Sequence, residues 1–196
     1  AAPFASTRSF SFDGVNDYFD CGNPTSLQIT GNLSLSTWVK TSMSATGFLL
    51  AKDDVTNRNF ALVVVMDGGT LRARFFIVKS NSLVNVTSTT IDIGDNSFHH
   101  IVGVNDGTDL KIYVDGNLEA TNVGAGGTID NDAVNFEIGR RGNNSLYFNG
   151  TLDEAAIWNS ALSSTAVTEI YNSGVPNDLD ELTNASDPTA WYRMGE

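Results

Sequence analysis

Turn-forming residues interrupt this sequence about every ten positions, and that spacing constrains the fold more than any other feature. Tight-turn dipeptides such as Asp106-Gly107 and Asp115-Gly116 separate short runs that are rich in Val, Ile, Phe, Tyr and Thr. The run Leu33–Lys40 alternates along its length, whereas Phe60–Met66 is almost continuously apolar and predicts a central strand. The pattern predicts an all-β sandwich or barrel rather than β-α-β units.

One stretch departs from this β pattern. Val167, Ile170 and Tyr171 have the i, i+3, i+4 spacing of a helix, Ser163 is a suitable N-cap, and Gly174 is a suitable stop. The sequence therefore predicts one short helix near residues 163–173. The predicted strands span residues 9–12, 18–21, 33–40, 48–51, 60–66, 71–78, 83–90, 98–104, 110–114, 134–138, 151–158 and 190–194.

An acidic stretch, residues 175–189, separates the predicted helix from the last predicted strand. Its carboxylates are interpreted as a solvated linker rather than as a site. Neither a second core pattern nor a repeat of about 20–50 residues occurs, so we predict a single domain over residues 1–196.

Composition excludes several classes of function. The hydrophobic share of 41% is enough for one core, and the net charge of −12 makes nucleic acid and anionic membrane surfaces unsuitable partners. A single cysteine, Cys21, excludes an internal disulfide and any zinc site built on several thiolates. No apolar run approaches the roughly 18 residues of a membrane span, so no membrane insertion is expected.

The carboxylates and histidines form no recognisable catalytic motif. A retaining glycosidase needs two carboxyl groups about 5 Å apart, which a strand provides when acidic residues alternate on one face. Glu137 lies in a predicted strand, but Gly139 follows where a second carboxylate is required. The only histidines, His99 and His100, are adjacent and point to opposite faces of a strand. We therefore predict a non-catalytic domain.

The turn after the first predicted strand is a candidate calcium site. Asp13, Asn16 and Asp17 place three oxygen-bearing side chains within five residues, and calcium takes roughly six to eight oxygen ligands. The same residues also favour an ordinary turn, because Asp and Asn side chains accept hydrogen bonds from nearby backbone amides. Both interpretations remain open from the sequence.

Five sequence strings, in this order, resemble those of one family. They are FDGVNDY at 12–18, LSTWVK at 35–40, FHHIVGV at 98–104, LKIYVDG at 110–116 and FNGTLDEAAIWNSAL at 148–162. Together they resemble the laminin G-like, concanavalin A-like lectin/glucanase superfamily, in its microbial and phage branch, with pentraxins as more distant relatives. The closing string WYRMG at 191–195 is similar to the ends of such modules in marine phage and bacterial proteins.

The resemblance implies a jelly roll of two antiparallel sheets, with one concave face that commonly binds glycans and often calcium. In related jelly rolls a structural calcium joins the N-terminal strands to the later Leu-Asp-Glu string. For this chain the implied ligands of a Ca²⁺ ion are Asp13, Asn16, Asp17 and Asp153.

The implied ligand site lies at the rim of the concave face. Arg58, Arg140 and Arg141 fall near one rim in this fold, and arginine forks suit carboxylates and sulfates. Tyr147 is expected to be exposed there and to stack on a sugar ring. The alternative is that the arginines neutralise nearby carboxylates: Asp53, Asp54 and Asp132.

Two functions follow from the sequence and the resemblance. The first is a carbohydrate-binding, lectin-like module, with an acidic glycan or cell-surface polysaccharide as its candidate partner. The second is a structural or adhesive interaction domain of a phage virion or a cell-surface protein, whose partners are other virion or surface proteins. Both predict an extracellular, cell-surface or virion-surface location.

Overall fold

The computed structural model describes residues 8–194, and the strands of this part of the chain form two stacked antiparallel sheets. Residues 1–7 and 195–196 of the predicted domain lie outside the described residues. Within the described residues there is one α-helix, α1 (Ser164–Tyr171), with 3₁₀ turns at Thr25–Leu27 and Asn172–Gly174. The prediction of an all-β sandwich with one short helix is confirmed. The strands are β1 (Phe10–Asp13), β2 (Phe19–Asp20), β3 (Leu33–Lys40), β4 (Gly47–Asp53), β5 (Arg58–Asp67), β6 (Thr70–Lys79), β7 (Ser82–Thr87), β8 (Phe98–Asn105), β9 (Leu110–Val114), β10 (Asn117–Asn122), β11 (Glu137–Ile138), β12 (Asn149–Trp158) and β13 (Ala190–Tyr192).

Strand order brings the two ends of the described chain together. Sheet A has the order β1-β12-β3-β8-β9-β10, and sheet B has the order β2-β11-β4-β5-β6-β7. β1 pairs with residues 149–152 of β12, and β13 pairs with residues 155–157 of the same strand. The first and last strands therefore share one edge of sheet A.

One observed strand was not predicted, and one predicted strand is shorter than expected, each for a physical reason. β10 was not predicted, because its sequence NLEATN is mostly polar, as suits the exposed edge of sheet A. The predicted strand 134–138 pairs only at Glu137 and Ile138, since the segment before them follows a loop held by Lys52. Within residues 8–194 no helix is both long and apolar enough to cross a membrane.

The inner faces of the two sheets pack against each other as one core. The predicted alternation of β3 is confirmed, because Leu33, Leu35 and Val39 all point into this core. Gly103 on β8 leaves room for the Phe75 ring of sheet B, since a Cβ at that position would lie 2.4 Å from a ring carbon. Side chains of both sheets thus interdigitate at close range.

The outer face of sheet A is also apolar, and α1 covers it. Val102 and Trp158 of the sheet pack against Val167 and Ile170 of the helix. The predicted N-cap is confirmed, because the Ser163 hydroxyl accepts a hydrogen bond from a backbone amide in the first turn. Residues 175–189 are not a free linker: Leu179 is fully buried in the same cluster, although the nearby carboxylates are largely exposed. The outer face of sheet A is therefore largely occupied.

His100 belongs to this covered face. Its ring stacks with Trp38 at 5.1 Å and with Tyr171 of α1 at 6.2 Å between centroids. Its Nε2 lies 2.8 Å from the Ser36 hydroxyl, while Nδ1 has no hydrogen-bond partner among the described residues. Burial lowers the pKa of His100 to about 4, so the folded protein holds this ring neutral.

This buried neutral ring predicts a loss of stability in mild acid. The unfolded chain binds a proton at His100 below its ordinary pKa of about 6.5, whereas the folded chain does so only near pH 4. The stability contribution of His100 is therefore complete above pH 6.5 and decreases as the pH falls. Between pH 7 and pH 5 the free energy of unfolding should fall by about 2 kcal/mol more in the wild type than in His100→Gln. Urea unfolding at the two pH values measures this difference.

Comparing the two proteins removes the opposite contribution of His99. Hydrogen bonds to Asp115 and Asp95 raise the pKa of His99, so its contribution is complete below pH 6.5 and is lost as the pH rises through the raised value. That contribution is common to the wild type and to His100→Gln. An identical pH dependence in both proteins would show that His100 takes up its proton without penalty in the folded state.

Candidate functional site

The outer face of sheet B carries a groove that no helix covers. The groove has a volume of about 200 Å³. Its floor consists of apolar side chains that point outward from β4, β5 and β6, including Phe48, Val63 and Phe76. The groove residues are Thr46, Phe48, Arg58, Val63, Val65, Arg74, Phe76 and Leu83.

Arginine side chains shield this apolar floor from water. The guanidinium of Arg58 lies 5.5 Å from the ring centroid of Phe76, and that of Arg141 lies 5.4 Å from the ring centroid of Phe48. Both distances fit cation–π contacts, and the aliphatic stems cover further apolar surface. The floor is therefore buried although it lies on the outside of the sandwich.

A single carboxylate holds both arginines in place. Asp53 at the end of β4 accepts hydrogen bonds from Nε of Arg58 at 2.8 Å and from Nε of Arg141 at 2.6 Å. The Asp53 side chain is fully buried, whereas those of Arg58 and Arg141 are 30% and 14% exposed. Among the described residues none accepts a hydrogen bond from the Nη atoms of either arginine. Arg58 lines the groove, and Arg141 lies over the ring of Phe48 beside it.

The bulge next to Asp53 sets this arrangement. Lys52 pairs with Phe60 and Asp53 pairs with Arg58, so Asn59 is the extra residue of β5. Lys52 points inward, where its ammonium donates to the Val134 carbonyl oxygen at 2.8 Å, and burial lowers its pKa. The bulge thus places Arg58 opposite Asp53, while the alternation of β4 directs Lys52 inward and Asp53 outward.

Arg140 and Tyr147 form a neighbouring cluster. The Arg140 guanidinium makes a two-pronged ion pair with Glu137, at 2.7 and 3.0 Å, and it is buried. It also lies 3.3 Å from the ring centroid of Tyr18 and donates to the Tyr147 hydroxyl at 3.3 Å. Tyr147 is half-buried. The structure therefore brings Arg58 and Arg141 together at Asp53 and places Arg140 and Tyr147 beside them.

One of the two interpretations of the arginines, neutralisation by carboxylates, can be compared with the structure, and the other, glycan binding, stays a prediction. Asp53 neutralises part of their charge, as the alternative interpretation expected. Asp132 instead accepts from the backbone amide of Arg58, and Asp54 accepts from the amides of its own turn. Asp54 and Asp132 therefore add negative charge close to the same arginines, and Arg58 and Arg141 by themselves give the groove no excess of positive charge.

Sequence reasoning missed Arg74 and Phe76 as groove residues. Both lie in β6, where Arg72, Arg74 and Phe76 alternate with core residues and so face outward together. The alternation of arginines in the run LRARFF was a readable signal. Tyr18 was also missed, because a tyrosine next to a turn has no distinctive pattern.

The four proposed calcium ligands do not lie together. Asp13 on β1 pairs with Asn149, and Asp153 is four residues farther along β12, or about 13 Å away at strand spacing. Within residues 8–194 no group of three or more His, Cys, Asp or Glu side chains is placed to hold a metal ion. The structure therefore separates Asp153 from the other three ligands.

The turn carboxylates make the contacts of an ordinary turn. Oδ1 of Asp13 accepts from the amides of Val15 and Asn16, and Oδ2 of Asp17 accepts from the amide of Asp13 at 2.9 Å. These amide donors hold the pKa of Asp13 below its usual value. The backbone alone accounts for both acidic residues of this turn.

Comparisons with known proteins agree with this architecture. The family model described as the concanavalin A-like lectin/glucanases superfamily matches residues 13–168. Adhesion G-protein coupled receptor V1 of Danio rerio is 26% identical over 163 residues, which are 80% of this chain but only 3% of the receptor. This chain thus spans a small part of that relative.

Two solved structures illustrate the similarity in fold. Domain 4 of AbnA, an extracellular arabinanase of Geobacillus stearothermophilus solved with arabinotriose, aligns with a TM-score of 0.63 and 19% identity. The alignment covers 83% of this chain and 76% of that one. A pentraxin of Limulus polyphemus aligns with a TM-score of 0.60 and 18% identity, over 93% of this chain and 89% of that one.

The central role of Asp53 predicts a measurable loss of stability. Asp53→Asn removes the charge that both guanidinium groups bind, and it should lower the free energy of unfolding by about 2–3 kcal/mol. Urea unfolding measures this change in the free energy of unfolding. Asp67→Asn at the exposed end of β5 is the matched control and should change it by less than about 0.5 kcal/mol. Equal effects of the two substitutions would contradict the role assigned to Asp53.

Proposed function

The chain belongs to the concanavalin A-like lectin/glucanase superfamily, and from this premise we propose that it is a non-catalytic module that binds an acidic glycan. The observation that carries the proposal is the pair of guanidinium groups that Asp53 fixes above an apolar groove. Glycan binding is consistent with the arabinotriose complex of the AbnA domain. The acidic character of the ligand is inferred from this chain alone.

The chemistry of the groove suits a sugar that carries a carboxylate or a sulfate. A sugar ring offers an apolar face that can pack on the exposed apolar lining of the groove, such as Leu83. The free Nη donors of Arg58 and Arg141 match the geometry of an oxyanion. Arg74 adds a third positive charge at the β6 side of the groove.

A binding role rather than a catalytic one is supported by the state of the nearby carboxylates. Asp53 and Glu137 are the buried carboxylates of this region, and both are held in ion pairs with arginines. A glycosidase needs one carboxyl group that donates a proton and a second that attacks or activates water. Carboxylates locked against guanidinium groups are poorly suited to either task.

The proposed ligand implies where the module works. Acidic polysaccharides occur at cell surfaces and outside cells, so we propose an extracellular, cell-surface or virion-surface location. The relative named above is an adhesion receptor, which agrees with a surface role. The alternative, a structural or adhesive domain that binds other virion or surface proteins, would use the same fold without a sugar.

A panel of immobilised polysaccharides tests the proposal. We expect binding to polygalacturonate, alginate or carrageenan and none to neutral laminarin. Raising NaCl from about 0.1 M to about 1 M shortens the Debye length from about 10 Å to about 3 Å, and the affinity should fall by about tenfold or more. Biolayer interferometry at both salt concentrations measures the change.

Matched variants distinguish binding at the groove from non-specific attraction between the ligand and other cations of the protein. Arg58→Gln and Arg74→Gln should each weaken binding by about five- to tenfold, since each removes a donor fork at the groove. Lys111→Gln removes a cation from sheet A, where Lys111 pairs with Asp106, and should leave the affinity within about twofold. If none of the polysaccharides binds and ultracentrifugation shows a defined oligomer, the alternative function, an interaction domain that binds proteins, would be favoured instead.

Calcium stabilisation, expected from the sequence, remains a proposal for the turn alone. Millimolar calcium added to chelator-treated protein should raise Tm by roughly 5–10 °C if Kd is tens of micromolar. Because Asp153 lies away from the turn, Asp153→Asn should keep this shift and Asp17→Asn should lose it. Differential scanning fluorimetry with and without chelator gives the shifts. If calcium moves no Tm by more than about 1 °C, the acidic residues only form the turn.

A further inference from the structure

Tyr18 presents a supported aromatic ring at the edge of sheet B. The Arg140 guanidinium lies 3.3 Å from its ring centroid and is itself locked by Glu137. Although Arg140 covers one face of the ring, Tyr18 is still 41% exposed. A rigid ring with one covered face and one open face is a stacking surface for a planar or ring-shaped ligand.

The preceding turn fixes the position of this ring. The Asp13 amide donates to Asp17, directly before Tyr18, and the Asn149 side chain donates to the Asp13 carbonyl oxygen at 3.1 Å. The latter bond ties the turn to β12. On the other side, Phe19 packs into the core against Phe12 and Phe10. The turn thus holds Tyr18 on one side, and the contacts of Phe19 hold it on the other.

The stacking ring and the arginine groove face the same side of sheet B. Asp20 of β2 pairs with Glu137 of β11, which pairs with Ala51 of β4, a residue of the outer face. Tyr18 and Asp20 are two positions apart and so share that outer side. The strand order between them and Arg74 is β2-β11-β4-β5-β6, with four intervals of about 4.8 Å.

These inter-strand distances determine how long a ligand must be to contact both Tyr18 and Arg74. Four inter-strand spacings amount to about 19 Å between Tyr18 and Arg74. A pyranose unit advances a polysaccharide by about one such spacing, so the distance corresponds to about four sugars. Between the two ends lie the guanidinium groups of Arg141 and Arg58.

From this geometry we infer that Tyr18 is a separate sugar-stacking subsite and that the ligand crosses the strands as a chain of at least about four acidic sugars. The inference rests on the proposed function and adds the length and direction of its ligand. Arg140 acts as a positioning residue, because it is buried and supports the Tyr18 ring rather than facing the ligand. The module would thus recognise the interior of a polysaccharide rather than one terminal sugar.

Oligogalacturonates of two to eight sugars test the inference on the whole chain by calorimetry. Wild-type affinity should rise with length and level off near four or five sugars. Tyr18→Ala should weaken binding of the hexamer by about tenfold and of the dimer by less than about twofold. Tyr18→Phe keeps the ring and should behave like the wild type. Phe98→Ala, at 44% exposure on sheet A, is the matched control and should change neither affinity.

The outcomes distinguish this inference from the proposed function. If dimer and hexamer bind equally well and Tyr18→Ala changes neither, the subsite is overturned while acidic-glycan binding stands. If no oligogalacturonate binds, and no sulfated oligomer of the same lengths binds either, both are overturned. Equal losses for dimer and hexamer in Tyr18→Ala would place Tyr18 within the arginine groove and would also overturn a separate subsite.

Discussion

Both sheets carry apolar side chains on both of their faces, so each outer face must be shielded from water in its own way. The inner faces bury each other, as in any sandwich. On sheet A the outer apolar surface is closed by α1 and by Leu179 of the acidic segment. On sheet B none of the described residues forms a covering helix, and the stems and guanidinium groups of Arg58 and Arg141 lie over Phe76 and Phe48 instead. The unequal covering leaves one face able to receive a ligand.

The arginines that cover sheet B are held in place by one buried carboxylate, that of Asp53. An aspartate without partners would be costly to bury, but Asp53 accepts from two guanidinium groups and from the Val55 amide. In return, Asp53 fixes both arginines through Nε and leaves their outer donors available. The acidic glycan proposed as the ligand would therefore require little reordering of long side chains, and this would reduce the entropic cost of its association.

Parts of the site were readable from the sequence and parts were not. The rim arginines Arg58 and Arg141 were identified by resemblance, and their pairing with Asp53 was one of the alternatives considered. The set of calcium ligands failed to assemble because it depended on register: Asn149, not Asp153, lies opposite Asp13. A shift by an even number of residues, such as the four between Asn149 and Asp153, keeps the same side chains on each face, so alternation alone does not fix it. The stacking of Arg140 on Tyr18 joins residues far apart in the chain, and no local pattern predicts it.

Sequence patterns were enough to predict the fold class, the position of the helix and its Ser163 cap, and most of the strands. These are local properties, since alternation, turn residues and helical spacing act over a few positions. Three features followed from long-range contacts instead: which outer face is covered, which carboxylate holds the arginines, and the packing of residues 175–189 on the sandwich. Each of these depends on strand order and on contacts between distant segments. Such contacts form when apolar surfaces and buried charges find partners, and a local pattern does not specify those partners.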